Sequence, residues 1–204
     1  LVVAIGLVVP AISMPYLLQT PVASGFGFGK SMFVVSLALT VPASAMCVAS
    51  AVAPLIMRTL TAKGTMLLGV IFSLTGFGLA FAHGSFWLVM LWMMFTGIST
   101  ALAGSASYSV AAEAVPPEQG VVVSTIYNTA AGLGSTVGSA IAGYILSIRQ
   151  VAVEVTTPSG PEMQLFPANE TYTWAALTVA GMAIIGILVV LSIRSKQLRS
   201  ISRA

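Results

Sequence analysis

The sequence predicts an all-α integral membrane protein, a six-transmembrane-helix bundle over residues 1–193. Three observations predict it. First, 57% of the 204 residues are hydrophobic and only 6% are charged, against roughly 25% charged in an ordinary soluble domain. With a mean hydropathy of +1.01, the chain has too few charges to cover its surface against water. Second, it divides into six apolar runs of spanning length, about 20 residues each. These are too long for barrel strands and lack their strict alternation. Third, small residues recur every four positions within the runs, as close helix contact in a membrane requires.

The runs cover about 1–20, 31–57, 65–82, 86–112, 120–148 and 173–193. Pro21 and the glycines Gly25, Gly27 and Gly29 end the first. The Gly25–Gly29 stretch reads as a flexible turn, because no βαβ unit surrounds it to make a nucleotide loop. Arg58 and Lys63 end the second run, His83-Gly84-Ser85 the third, and Glu113 with Pro116-Pro117-Glu118 the fourth. A polar segment over 149–172 reads as an external loop; its Asn169-Glu170-Thr171 fits a glycosylation sequon. A basic tail over 194–204, with Arg194, Lys196, Arg199 and Arg203, closes the chain.

Charge placement orients the bundle. With the first span running outward, six of the eight Lys and Arg residues face the cytoplasm, and only Lys30 and Arg149 lie outside. The positive-inside rule selects this arrangement and places both termini in the cytoplasm. Trp87 and Trp174 then mark the outer interface. Leu1 follows no charged n-region, so the start is not a signal peptide and reads as the middle of a longer polypeptide.

Candidate packing positions are Gly134 and Gly138 in the fifth span, within the stripe Ala130, Gly134, Gly138, Ala142. The fourth span carries Gly97, Ala101, Ser105 and Ser109, and the second Ser36, Thr40 and Ser44. The lone Cys47 reads as buried filler and makes no metal site. No cofactor or metal is expected, and no basic patch with aromatics points to nucleic acid. The lipid bilayer is the expected surround.

No acid or base falls deep in a span, where a proton path would show one. Glu113 closes the fourth span and reads as structural, through a hydrogen bond or an ion pair near Arg58 or Lys63, with a coupling-proton role as the sharper alternative. Polar uncharged groups do reach depth. Asn128 lies about 15 Å into the fifth span; its amide faces another helix or a polar cavity, since an unsatisfied one is costly. Tyr16 and Gln19, near the outer end of the first span, serve as interface anchors or line a path. Met90, Met93 and Met94 cluster beside Trp92, as filler or as an adaptable apolar pocket.

Three stretches carry a family resemblance: MPYLLQTPVASGFGFGKS (14–31), APLIMRTLTAKG (53–64) and AVPPEQGVVVSTIYNTAAGLGSTVGSAIAGYIL (114–146). Through them the chain resembles the C-terminal half of a major facilitator superfamily transporter, most closely the fourteen-span bacterial multidrug:proton antiporters. In the second stretch Arg58 and Gly64 keep the family's loop spacing, Lys63 stands one place late, and the aspartate is missing. The resemblance implies half of a secondary carrier in the cell membrane, driving proton-coupled efflux of a small lipophilic substrate. It implies a missing N-terminal transmembrane half as partner and protons as coupling ion. Tyr16, Gln19, Met93, Ser105 and Asn128 are then substrate-path candidates, and Arg58, Lys63, Gly64 and Glu113 form a gating loop. A membrane subunit of a larger complex is the alternative. An enzyme is not expected, because no catalytic constellation is present.

Overall fold

A computed structural model describes residues 2–80, 84–113, 115–157 and 160–192. His83 and the basic tail over 194–204 lie outside the described residues. The order is α1 (Val2–Gln19), a 3₁₀ turn (Val22–Ser24), α2 (Met32–Ala38), α3 (Thr40–Ala80), α4 (Phe86–Glu113), a 3₁₀ turn (Pro117–Gln119), α5 (Gly120–Ile148), strands β1 (Gln150–Thr157) and β2 (Gly160–Pro167), and α6 (Asn169–Ser192). Among the described residues, five helical segments are long and apolar enough to cross a membrane.

The second and third apolar runs form α2 and α3. α3 is not one straight rod, for Thr61 has φ 63° and ψ 165°. In a straight helix Pro42 and Gly69 would stand about 40 Å apart. Yet a Cβ on Gly97 would meet the Pro42 carbonyl, and one on Gly69 would meet Ser99 and Ala103. Both positions therefore touch α4 within about two turns of each other. The chain doubles back at Thr61, and the arms 40–60 and 62–80 lie side by side. Thr61 Oγ1 accepts from the Gly64 amide at 3.4 Å, and Thr65 Oγ1 returns a bond to the Thr61 carbonyl at 2.9 Å. Side-chain bonds thus replace the helix ladder where it fails.

α1 is the hub. Its Met14, Leu17 and Leu18 join Val89, Met90, Trp92 and Met93 of α4 and Tyr172 of α6 in one buried cluster. Val9 joins Ala142, Ile145, Ala175 and Val179 in a second. Pro10 and Pro15 interrupt α1's backbone ladder. Ser13 sends its hydroxyl to the Val9 carbonyl at 2.7 Å, so its own donor is satisfied within α1.

The Gly25–Gly29 stretch departs from the flexible turn that composition suggests. The Gly29 and Lys30 amides donate to the Thr20 and Leu18 carbonyls, both at 2.8 Å, capping the end of α1. Phe26 packs on Tyr172 and Phe28 on Phe86, each pair of rings 6.1 Å apart. Lys30 Nζ stands 5.3 Å from the Phe86 ring centroid, and Thr20 hydrogen-bonds the Tyr172 hydroxyl at 3.3 Å. Gly27 is required: a Cβ there would lie 2.1 Å from the Thr20 carbonyl oxygen. The exposed Trp87 and Trp174 surround this same end.

The polar segment also holds more structure than a loop. β1 and β2 pair antiparallel from Gln150↔Pro167 to Thr157↔Gly160. Alternating Val151, Val153 and Val155 make a strand of β1, and Val153 is buried. α6 begins at Asn169, four residues ahead of the sequence expectation. Glu170 in its first turn pairs with Arg149 across the base of the hairpin. Both groups are exposed, so this pair contributes little stability.

Candidate functional site: two cavities flanking α1

Two cavities open along one face of α1, at successive heights, and both touch Leu7. One, of about 300 Å³, lies between α1, the first arm of α3, and α4. Met14, Met46 and Met93 line it from three different helices, with Pro10, Pro42 and Thr96. The other, of about 220 Å³, lies between α1, α4 and α5 and is more polar: Thr100, Gly104, Ser107, Tyr127 and Ser135 line it. Tyr127 donates its hydroxyl to the Gly104 carbonyl at 3.1 Å and stacks edge-on against Tyr108. Ser107 donates to the Ala103 carbonyl at 2.6 Å. Tyr127 was missed in the sequence; its signal was a hydroxyl beside Asn128 in an apolar helix.

Of the substrate-path candidates, Met93 alone lines a cavity. Asn128 is exposed, and among the described residues nothing hydrogen-bonds its side chain, so it does not face another helix of this bundle. It shares a helix face with Ala131 and Ser135 on the rim of the polar cavity. That face continues as Thr125, Gly132, Thr136, Ser139 and Gly143, at a helical spacing of three and four. Beside it runs an exposed apolar stripe, Ile126, Leu133, Val137 and Tyr144. The third face is buried: Gly134, Gly138 and Ala142. Gly138 meets α1, a Cβ there lying 3.1 Å from the Ile5 Cα.

Ser105 is partly buried on α4 and lines neither cavity. Tyr16 is 51% exposed near the aromatic-capped end of α1, and Gln19, partly buried, is the helix's last residue. Of the Met cluster, Met90 is buried in the core beside Trp92. Met94 turns to a separate apolar groove of about 700 Å³ between α4 and the two arms of α3. The Trp92 Nε1 atom is buried with no partner among the described residues.

At the other end, Lys63 donates to the Leu191 carbonyl at 3.3 Å, which ties the Thr61 turn to the last turn of α6. A cation suits that site, because helix C-termini are electronegative. Glu113 accepts from Ser109 at 3.0 Å, one turn back on its own helix. Its partner is thus local rather than Arg58 or Lys63. Arg58 is exposed, and Gly64 follows the turn with a Cβ position 3.1 Å from the Leu60 Cβ.

Cys47 is exposed rather than buried. So are Ser36, Thr40 and Ser44; Thr40 and Ser44 line the wide groove between α4 and the two arms of α3 rather than a close helix seam. The fourth-span stripe does pack, with Gly97 and Ala101 buried.

No curated protein and no solved structure matches this chain. A family model described as Major Facilitator Superfamily matches residues 1–203. The chain belongs to the major facilitator superfamily and is a multi-pass membrane transporter.

Proposed function

We propose that this chain is the C-terminal half of a secondary active carrier that expels small lipophilic compounds in exchange for protons. In this reading the two arms of α3 cross the bilayer separately, giving six crossings. The protein resides in the cell membrane with both termini in the cytoplasm. The observation that carries the reading is the exposed polar face of α5 centred on Asn128. The hydroxyls of Thr125, Thr136 and Ser139 are satisfied by carbonyls of α5 itself, but the Asn128 amide has no such partner among the described residues, and an unpaired amide is costly against lipid. It is well placed against a second bundle or a water-filled path. The first arm of α3 repeats the pattern, with exposed Thr40, Ser44, Cys47, Ser50 and Arg58. An N-terminal transmembrane half is the partner that covers both.

Proton coupling is assigned to that partner. The described acids lie at helix ends or in connections: Glu113, Glu118, Glu154, Glu162 and Glu170. None reaches mid-membrane, where a coupling carboxylate belongs.

The test is flux. The chain would be reconstituted in liposomes, alone and joined to its upstream half, under an imposed pH gradient. Gradient-driven dye export is expected only from the joined form, because alternating access needs two bundles to rock. Export by the chain alone, abolished by Glu113→Gln, would overturn the assignment and make Glu113 the proton carrier.

A further inference from the structure

The cavity between α1, α4 and α5 carries a hydrogen-bonding pattern of its own. Three hydroxyls on its wall have committed their protons: Thr100 donates to the Thr96 carbonyl at 2.8 Å, Ser107 to the Ala103 carbonyl at 2.6 Å, and Tyr127 to the Gly104 carbonyl at 3.1 Å. All three residues are partly exposed rather than packed in the core, so their oxygens keep lone pairs for a ligand. Thr100 and Ser107 stand on one side of α4, about two turns apart, and Tyr127 reaches that side from α5 at Gly104, between them. Ser135 lines the same wall, and among the described residues its hydroxyl bonds nothing. No charged residue lines the wall. The cavity thus presents three acceptor oxygens, one uncommitted hydroxyl and no counter-charge.

We propose that this cavity binds the hydrogen-bond-donating end of an uncharged molecule, an O–H or N–H group received by the oxygens of Thr100, Ser107 and Tyr127. A ligand group that only accepts would lose its water and face lone pairs whose protons point elsewhere. An ammonium group would bring its charge to a wall that holds no acid. A volume of about 220 Å³ is less than a whole drug-sized ligand fills, so the cavity seats one end of the molecule. That the bound molecule is also the transported substrate rests on the carrier reading above.

The test uses the purified full chain in lipid nanodiscs and three compounds that differ at one group. Biphenyl-4-ol donates, 4-methoxybiphenyl only accepts, and 4-(aminomethyl)biphenyl carries an ammonium. Bound tritiated biphenyl-4-ol is counted by scintillation proximity while each unlabelled compound competes, after correction for its partition into empty nanodiscs. The phenol should compete at about tenfold lower concentration than the ether or the ammonium, the worth of one hydrogen bond. Thr100→Val combined with Ser107→Ala removes two acceptors at nearly constant shape, and the advantage of the phenol over the ether should shrink to about twofold. The ratio is the readout, because a partly unfolded protein loses all three compounds alike. Thr178→Val, on α6 away from the cavity, should leave the ratio near tenfold. Equal competition by the ether would overturn the need for a donor, and equal competition by the ammonium would overturn the uncharged class. A ratio unchanged in the double variant would remove the ligand from this cavity. A tenfold preference without gradient-driven flux in the joined carrier would uphold the cavity and remove the carrier reading. Flux with no such preference would do the reverse.

Discussion

Gly138 of α5 faces the backbone of Ile5 on α1 so closely that an added Cβ would stand 3.1 Å from the Ile5 Cα and 3.3 Å from the Val8 Cβ. Small residues at such a crossing let two helices gain dispersion contact along their length. Gly138→Leu should therefore lower stability by about 1–3 kcal/mol through overpacking. Gly143→Ala, whose Cβ meets nothing within 4 Å, should be silent. Folded yield and thermal midpoint in detergent measure both; equal tolerance would place the α1–α5 seam elsewhere.

The aromatic cap depends on Gly27. Gly27→Ala puts a methyl 2.1 Å from the Thr20 carbonyl oxygen, so the segment must lift. Phe26 and Phe28 would leave Tyr172 and Phe86, at a cost of about 2–3 kcal/mol. Protease sensitivity between Pro21 and Ser31 should rise with the loss of thermal stability. An unchanged digestion pattern would show that the ring contacts do not hold the segment.

Thr61 holds a backbone conformation that a β-branched residue rarely adopts. Thr61→Pro fixes φ near −65° and forbids the reversal; a loss of about 3 kcal/mol or more is expected, read as collapse of folded yield. Thr61→Gly relieves the backbone but removes the hydroxyl cap on Gly64, so its net effect should stay within about 1 kcal/mol. A folded, stable Thr61→Pro variant would mean that the arms of α3 can join in another way.

Sidedness is open to cysteine labelling in a Cys47→Ser background. Gln164→Cys on the hairpin should react with an impermeant maleimide added outside intact cells. Glu118→Cys, in the turn before α5, should react only after the membrane is opened. The opposite pattern would invert the orientation.

Asn128 is exposed, so Asn128→Leu should leave folded yield unchanged within about 0.5 kcal/mol. If its amide serves the transport path, flux by the joined carrier should fall about tenfold, the worth of one hydrogen bond. Ile126→Leu, on the apolar stripe, should change neither. Equal flux from all three proteins would make the α5 polar face a packing surface for the second half only.

Much of this was legible in the chain. Long apolar runs have one solution in a bilayer, because every backbone amide must be paired locally. Charge bias and small-residue spacing likewise depend on position along the chain alone. Gly134, Gly138 and Ala142 could be named as a packing stripe before any fold was seen. The stripe Ser36, Thr40, Ser44 has the same spacing and yet is exposed. Spacing shows that residues share a helix face; it does not show what that face meets.

The sequence by itself determined the helical membrane class and the family. Only the tertiary structure decided which side chains meet. Met90, Met93 and Met94 are neighbours along the chain, but the helical turn sends Met90 to the core and Met94 to a separate groove. The cavity instead gathers Met14, Met46 and Met93 from three helices. Glu113 found Ser109 one turn away rather than a distant base, and Lys63 found the end of α6. Local hydrogen bonding and hydrophobic burial act along a segment and are written in it. Contacts between segments depend on crossing positions set by a few glycines and one reversed threonine.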